Sequence, residues 1–234
     1  MLSSDGWIDG ITASGVVIFG IIFGLFFFYV SRKRKAKLLF YLGLVNLLAG
    51  LMFLGVFLDF LLVVITENNI DNSSGLVGIL SYIWFAPVVI TAMYIGTELI
   101  TPKMKWYIIS IIAIISIIFE IVIFMDPLNA FYFDETTTIP PERLIDYNIN
   151  LDTMAGMLVG SLLLSILILL GIGFLYKAFQ STGEIKRNFY LLSLGSICFC
   201  IFGLLEGLTA PGFMVIIVRI GYLSSFWFMY FGLK

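Results

Sequence analysis

Long unbroken apolar stretches alternate with short polar ones along this chain, and nowhere does the strict two-residue alternation of a half-buried strand persist. Seven apolar stretches stand out, at about 11–30, 38–66, 76–100, 106–124, 157–176, 190–208 and 213–231. As helices rising 1.5 Å per residue, each is long enough to cross a hydrocarbon core of roughly 30 Å. The ten-residue alternating segments of a membrane barrel are missing. The pattern predicts an all-α membrane protein, a seven-transmembrane helix bundle forming a single domain over residues 1–234.

The polar intervals read as connections. Asn68, Asn69, Asp71, Asn72, Ser73 and Ser74 are turn formers between the second and third stretches. The longest interval, 125–156, carries Asp126, Asp134, Glu135, Pro140, Pro141, Glu142, Asp146 and Asp152. Loops of that length usually serve a function or are disordered. The first stretch is preceded by the acidic segment from Ser3 to Asp9 and followed by Arg32, Lys33, Arg34, Lys35 and Lys37. That polarity is the reverse of a cleavable signal peptide, so this stretch is expected to stay as helix one.

The basic residues give the expected orientation. With seven helices, one side of the membrane receives Arg32, Lys33, Arg34, Lys35, Lys37, Lys103, Lys105, Lys177, Lys186, Arg187 and Lys234, and the other receives Arg143 alone. Lys and Arg close to helix ends favour the cytoplasm, which predicts an outer N-terminus and a cytoplasmic C-terminus in the cell membrane.

Composition sharpens the exclusions. With 61% hydrophobic and 12% charged residues, the chain is far from a soluble domain, which is about half apolar and a quarter charged. The basic residues form no stripe along an element, so a nucleic-acid partner is not expected. Histidine is absent, which removes His-ligated haem, His-bound zinc and Ser-His catalysis. No cofactor is expected, and with no Ser or Asp motif beside a base an intramembrane enzyme is the weakest reading. Cys198 and Cys200 lie two apart on one helix, a geometry that disfavours a mutual disulfide.

Three glycine pairs, Gly20 and Gly24, Gly156 and Gly160, and Gly203 and Gly207, have the GxxxG spacing that permits close helix approach, and all are expected to pack within the bundle. Aromatic groups at 26–29 and 226–230 suit an interfacial belt. Pro87 should interrupt the third helix, because it lacks a donor and its ring crowds the preceding turn; it is a candidate hinge.

Charges inside apolar runs need a partner or water, since each costs roughly 2.5 to 3.5 kcal/mol near the bilayer centre. Glu98 sits close to Lys103 and Lys105 and is expected to form an interfacial pair. Asp59, Glu120, Glu206 and Arg219 all fall in the outer half of the bundle when depth is counted along their helices. They could staple the bundle, line one ligand pocket under the long acidic loop, or form an ion or proton path. They carry no metal-ligand spacing. Arg219 is expected to contact Asp59 or Glu206, with Asp59 favoured by depth.

The run Tyr82-Ile83-Trp84-Phe85-Ala86-Pro87, then Met93-Tyr94, a short basic link and an aliphatic fourth helix ending at Asp126-Pro127 together resemble the N-terminal seven-helix sensory region of archaeal and bacterial histidine kinases. The similarity covers about two thirds of the chain. No kinase follows helix seven here, so the resemblance implies a detached sensor or a diverged relative. Microbial rhodopsins share the layout, but they attach retinal to a lysine of helix seven, where this chain has Arg219. The expected function is therefore a sensory or receptor-like module. It would bind an outer ligand or lipid and signal to a separate cytoplasmic protein or through a homo-oligomer. The alternative is a small-solute or ion transporter using the intramembrane Asp, Glu and Arg.

Overall fold

A computed structural model describes residues 2–134 and 141–234. Eleven α-helices and one β-hairpin appear among them: α1 (Ser4–Arg34), α2 (Lys37–Leu51), α3 (Leu54–Thr66), α4 (Leu76–Tyr82), α5 (Phe85–Ile100), α6 (Lys105–Met125), α7 (Pro127–Ala130), β1 (Phe131–Asp134), β2 (Asp146–Ile149), α8 (Met154–Ile166), α9 (Gly173–Phe179), α10 (Gly183–Glu206) and α11 (Phe213–Leu233). A π-helical turn, Leu167–Ile172, joins α8 to α9. Glu135 and Pro140 of the long loop lie outside the described residues.

Among the described residues, six helices are long and apolar enough to cross a membrane, counting α4–α5 and α8–α9 as one each. A seventh span results if α2 and α3, bent by 45°, are one. The bundle therefore has the composition and helix lengths of a multi-pass membrane protein. Its outward faces carry large apolar side chains such as Ile111, Ile114 and Ile121 on α6, while Val88, Val89, Met93, Phe119 and Ile123 are fully enclosed.

Three of the expected helices are remodelled. Helix one starts seven residues earlier than its apolar run, because Ser3 caps α1 by accepting from the Gly6 N–H at 3.2 Å and Asp5 sits in the first turn. Helix two breaks at Met52–Phe53. A break inside a bundle leaves backbone groups that need partners, and both are met from neighbours: the Tyr147 hydroxyl donates to the Met52 carbonyl at 3.2 Å, and the Gly55 N–H donates to Ser81 Oγ at 3.2 Å. Helix three is interrupted at Ile83–Trp84. That is where a Pro87 ring would crowd the carbonyl four residues back, and Pro87 itself sits in the first turn of α5, where no N–H is required.

The long loop folds over one end of the bundle as the antiparallel hairpin β1–β2, with Phe131 opposite Ile149 and Asp134 opposite Asp146. Phe131 is buried beside the Tyr82 ring, 5.1 Å between centroids. This end is called the lid end below; the opposite end carries Lys35, Lys105, Lys186 and Lys234. There Lys105 Nζ meets Glu98 Oε2 at 2.6 Å, the pair expected for Glu98.

Candidate functional site

Arg219 is the centre of the polar chemistry at the lid end. Helix α11 carries it into the bundle, where only 5% of its surface is exposed. Its Nε and Nη2 donate to Glu206 Oε1 at 2.9 and 2.7 Å, and Nη2 also donates to Asp9 Oδ1 at 2.7 Å. Nη1 donates to the Asp9 carbonyl at 2.8 Å and to the Thr12 hydroxyl. The guanidinium also lies 5.2 Å from the Phe53 ring centre. A permanently charged group with five donors is satisfied by two carboxylates, one carbonyl, one hydroxyl and a ring face. The cluster ties α1, α10 and α11 together.

The expected partner of Arg219 is half right. Glu206 holds it; Asp59 does not. Asp59 is fully buried near the end of α3, where Oδ1 accepts from the Ile70 N–H at 2.7 Å and Oδ2 from Asn69 Nδ2 at 3.0 Å and the Ile145 N–H at 2.8 Å. Similar depth put it on the same level as Arg219, but its azimuth on α3 aims it at the lid. Asp59 thus fastens the 69–70 turn and the 144–145 limb to α3. The limb is also tied to α1, whose Ser3 N–H donates to the Glu142 carbonyl at 2.8 Å.

Glu120 belongs to neither group. It sits on α6 near Ala86 at the start of α5, and both its carboxylate oxygens are buried with no hydrogen-bond partner among the described residues. Of the three readings open for the four residues, a single shared pocket is not what the packing gives: they fall in three places, and only Arg219 with Glu206 staples helices together.

Asp9 is the residue that sequence reasoning missed. The apolar run begins at Ile11, which leaves Asp9 in the polar segment ahead of it. The available signal was Ser3 followed by Asp5, a capping residue and a first-turn acid that start the helix early enough to bury Asp9.

Beneath the hairpin lie two adjoining spaces. A cleft of about 80 Å³ is lined by Asp9, Phe53, Asp146, Glu206, Arg219 and their neighbours. Beside it is a cavity of about 710 Å³, sharing Met52, Tyr82, Asp146, Gly203 and Tyr222 with the cleft and extending between α8 and α10. It has the size and the largely apolar wall of a small-molecule site, with a few polar groups at one end. Burial first, and then the Asp9 carboxylate, pushes Asp146 up to about 6, against the opposing pull of Arg219.

The cavity exists because α8 and α10 part toward the lid. Near the π-helical turn they touch: the Ser193 hydroxyl donates to the Gly171 carbonyl at 2.6 Å, and Cys200 Sγ reaches the Leu163 carbonyl at 3.7 Å. One turn further on, a Cβ at Gly160 would meet nothing within 4 Å, and one at Gly203 would meet only the Tyr222 ring at 3.9 Å. The expectation that all three glycine pairs pack tightly therefore fails for Gly160 and Gly203. Gly20 does pack, its added Cβ lying 2.7 Å from the Gly50 Cα. No three of His, Cys, Asp and Glu among the described residues are placed to hold a metal ion.

Compared with protein-family models, curated proteins and solved structures, the chain matches none.

Proposed function

We propose that this chain is a sensory or receptor-like protein of the cell membrane that binds a small ligand or lipid at the lid end and passes the change to a separate cytoplasmic partner. The lid end is taken as the outer end and the basic end as cytoplasmic, following the distribution of Lys and Arg. The observation that carries this reading is the cavity of about 710 Å³ beneath the hairpin, bounded by helices that continue to the basic end. Ligand entry there would alter the separation of α8 and α10, and α10 begins at Gly183, next to Lys186 and Arg187. The resemblance of the third and fourth helices to the sensory region of histidine kinases supports the same reading. The transporter alternative draws on the buried Asp9 and Arg219 and the half-buried Glu206, residue types that also mark ion pathways.

A side chain can stand in for the ligand. Gly203→Phe would project into the cavity, and it should alter backbone amide exchange at 31–37 and 180–187 in nanodiscs. Proteoliposomes of the unaltered protein should pass neither protons nor alkali cations. Unchanged exchange at the basic end would overturn the receptor reading. Cation or proton flux that Gly203→Phe blocks would replace it with the transporter.

A further inference from the structure

The two spaces under the lid carry a charge balance that selects among ligands. Asp9, Asp146 and Glu206 line the cleft and Asp146 and Asp152 line the cavity, against Arg219 as the one cation lining either space among the described residues. Four carboxylates thus face one guanidinium. That guanidinium is already engaged by Asp9 and Glu206, so it has little left to offer an anion. Among the described residues Glu206 Oε2 is buried with no hydrogen-bond partner, an acceptor open to a positive group.

The walls add a second selection. Tyr82, Phe85, Tyr132, Phe199 and Tyr222 surround the cavity, and ring faces attract ammonium cations, quaternary ones in particular. The mouth adds a third. Its lining includes the exposed Gly160 on α8, Leu204 on α10 and Leu208 just past the end of α10, and the two leucines are 49% and 63% exposed on the outward, apolar side of the bundle. An opening with apolar rims on a lipid-facing side admits a chain from the bilayer more readily than a hydrated solute from water.

We infer that the cavity between α8 and α10 binds a cationic amphiphile, its ammonium head among Asp146, Asp152 and the tyrosine rings and its alkyl chain leaving between Gly160 and Leu204. This rests on the receptor reading and names its ligand class. The head group would sit where the lid hairpin meets α10, so occupancy would bear directly on the element that runs to the basic end.

The test uses three decyl compounds that differ only in the head: decyltrimethylammonium, decyl maltoside and decyl sulfate. Each is titrated against the full chain in zwitterionic nanodiscs, with empty nanodiscs subtracted and tryptophan fluorescence as readout. The ammonium compound should bind about tenfold more tightly than either of the others. Asp146→Asn with Asp152→Asn should remove that preference while leaving the decyl chain bound. Gly160→Leu with Gly203→Leu should abolish saturable binding of all three, with thermal unfolding confirming that each variant is folded. Equal affinity for the three heads, or an ammonium preference that survives both Asp substitutions, would overturn the cationic class and leave the receptor reading standing. Failure of every compound to saturate the unaltered protein would remove both.

Discussion

The α1–α2 seam and the α8–α10 gap are built from the same residue and come out opposite. At the seam, Gly20 meets Gly50 so closely that a Cβ on either would lie 2.7 Å from the other's Cα, and the Asn46 amide donates across to the Gly20 carbonyl at 3.2 Å. At the gap, Gly160 and Gly203 look into open space. The missing side chain does two jobs: it lets backbones touch on one side of the bundle and leaves a cavity unfilled on the other. The seam side is also the fastened side, where Arg219 joins α1 to α10 and Asp59 and Ser3 hold the lid.

The largest loss should come from removing the fastener. Arg219→Met strands the buried Asp9 and the half-buried Glu206 carboxylates, a change that costs about 3–5 kcal/mol, and part of the loss should be recovered by adding Glu206→Gln. Asp59→Asn, which touches a separate network, should add independently to Arg219→Met. Thermal unfolding in detergent reads the cycle; coupling of Arg219 to Asp59 instead of Glu206 would contradict the observed pairing.

Next in size is the contrast between the glycines themselves. Gly20→Val drives a side chain into the Gly50 backbone, an overpacking of about 1–3 kcal/mol. Gly203→Val should cost well under that, because its Cβ enters open space. Equal destabilisation of the two would break the distinction between seam and gap.

The smallest effect belongs to pH, because Asp146 is only half-buried in the hairpin and solvent screens its charge. Asp146 is raised to about 6 by burial and by Asp9. A raised carboxyl favours the protonated folded state, so its contribution is complete below the unfolded value of about 3.9 and is lost as pH rises through about 6. The melting temperature of the unaltered protein relative to Asp146→Asn should therefore fall between about pH 4 and about pH 7. A difference that stays flat, or rises, would show that the lid leaves Asp146 solvated.

Much of the architecture was legible from local pattern. Apolar runs located the six helices long enough to cross a membrane and the bent α2–α3 pair, the turn formers at 68–74 and the long polar interval marked the connections, and Pro87 marked the interruption four residues before it. Glu98 with Lys105 followed from proximity along one short link. The break at Met52 was invisible, since nothing in Gly50-Leu51-Met52-Phe53 forbids a helix; its partners, Tyr147 and Ser81, come from 95 and 26 residues away. Asp9 is hidden because α1 begins seven residues ahead of its apolar run.

What the sequence determined by itself is set by short-range chemistry. Apolar run lengths require membrane-length helices, and a buried arginine requires carboxylates, whatever their source. Which carboxylates answer Arg219, and which glycines touch a neighbour, depended on the rotation of each helix about its axis. A helix turns about 100° per residue, so starting α1 seven residues early puts Asp9 on a definite face of it, and a 45° bend redirects every side chain beyond the bend. Depth along a helix can be counted from the sequence, whereas azimuth is decided only when all the helices have packed. That is why Asp59 and Arg219 share a level without meeting, and why Gly20 closes a seam while Gly160 opens a cavity.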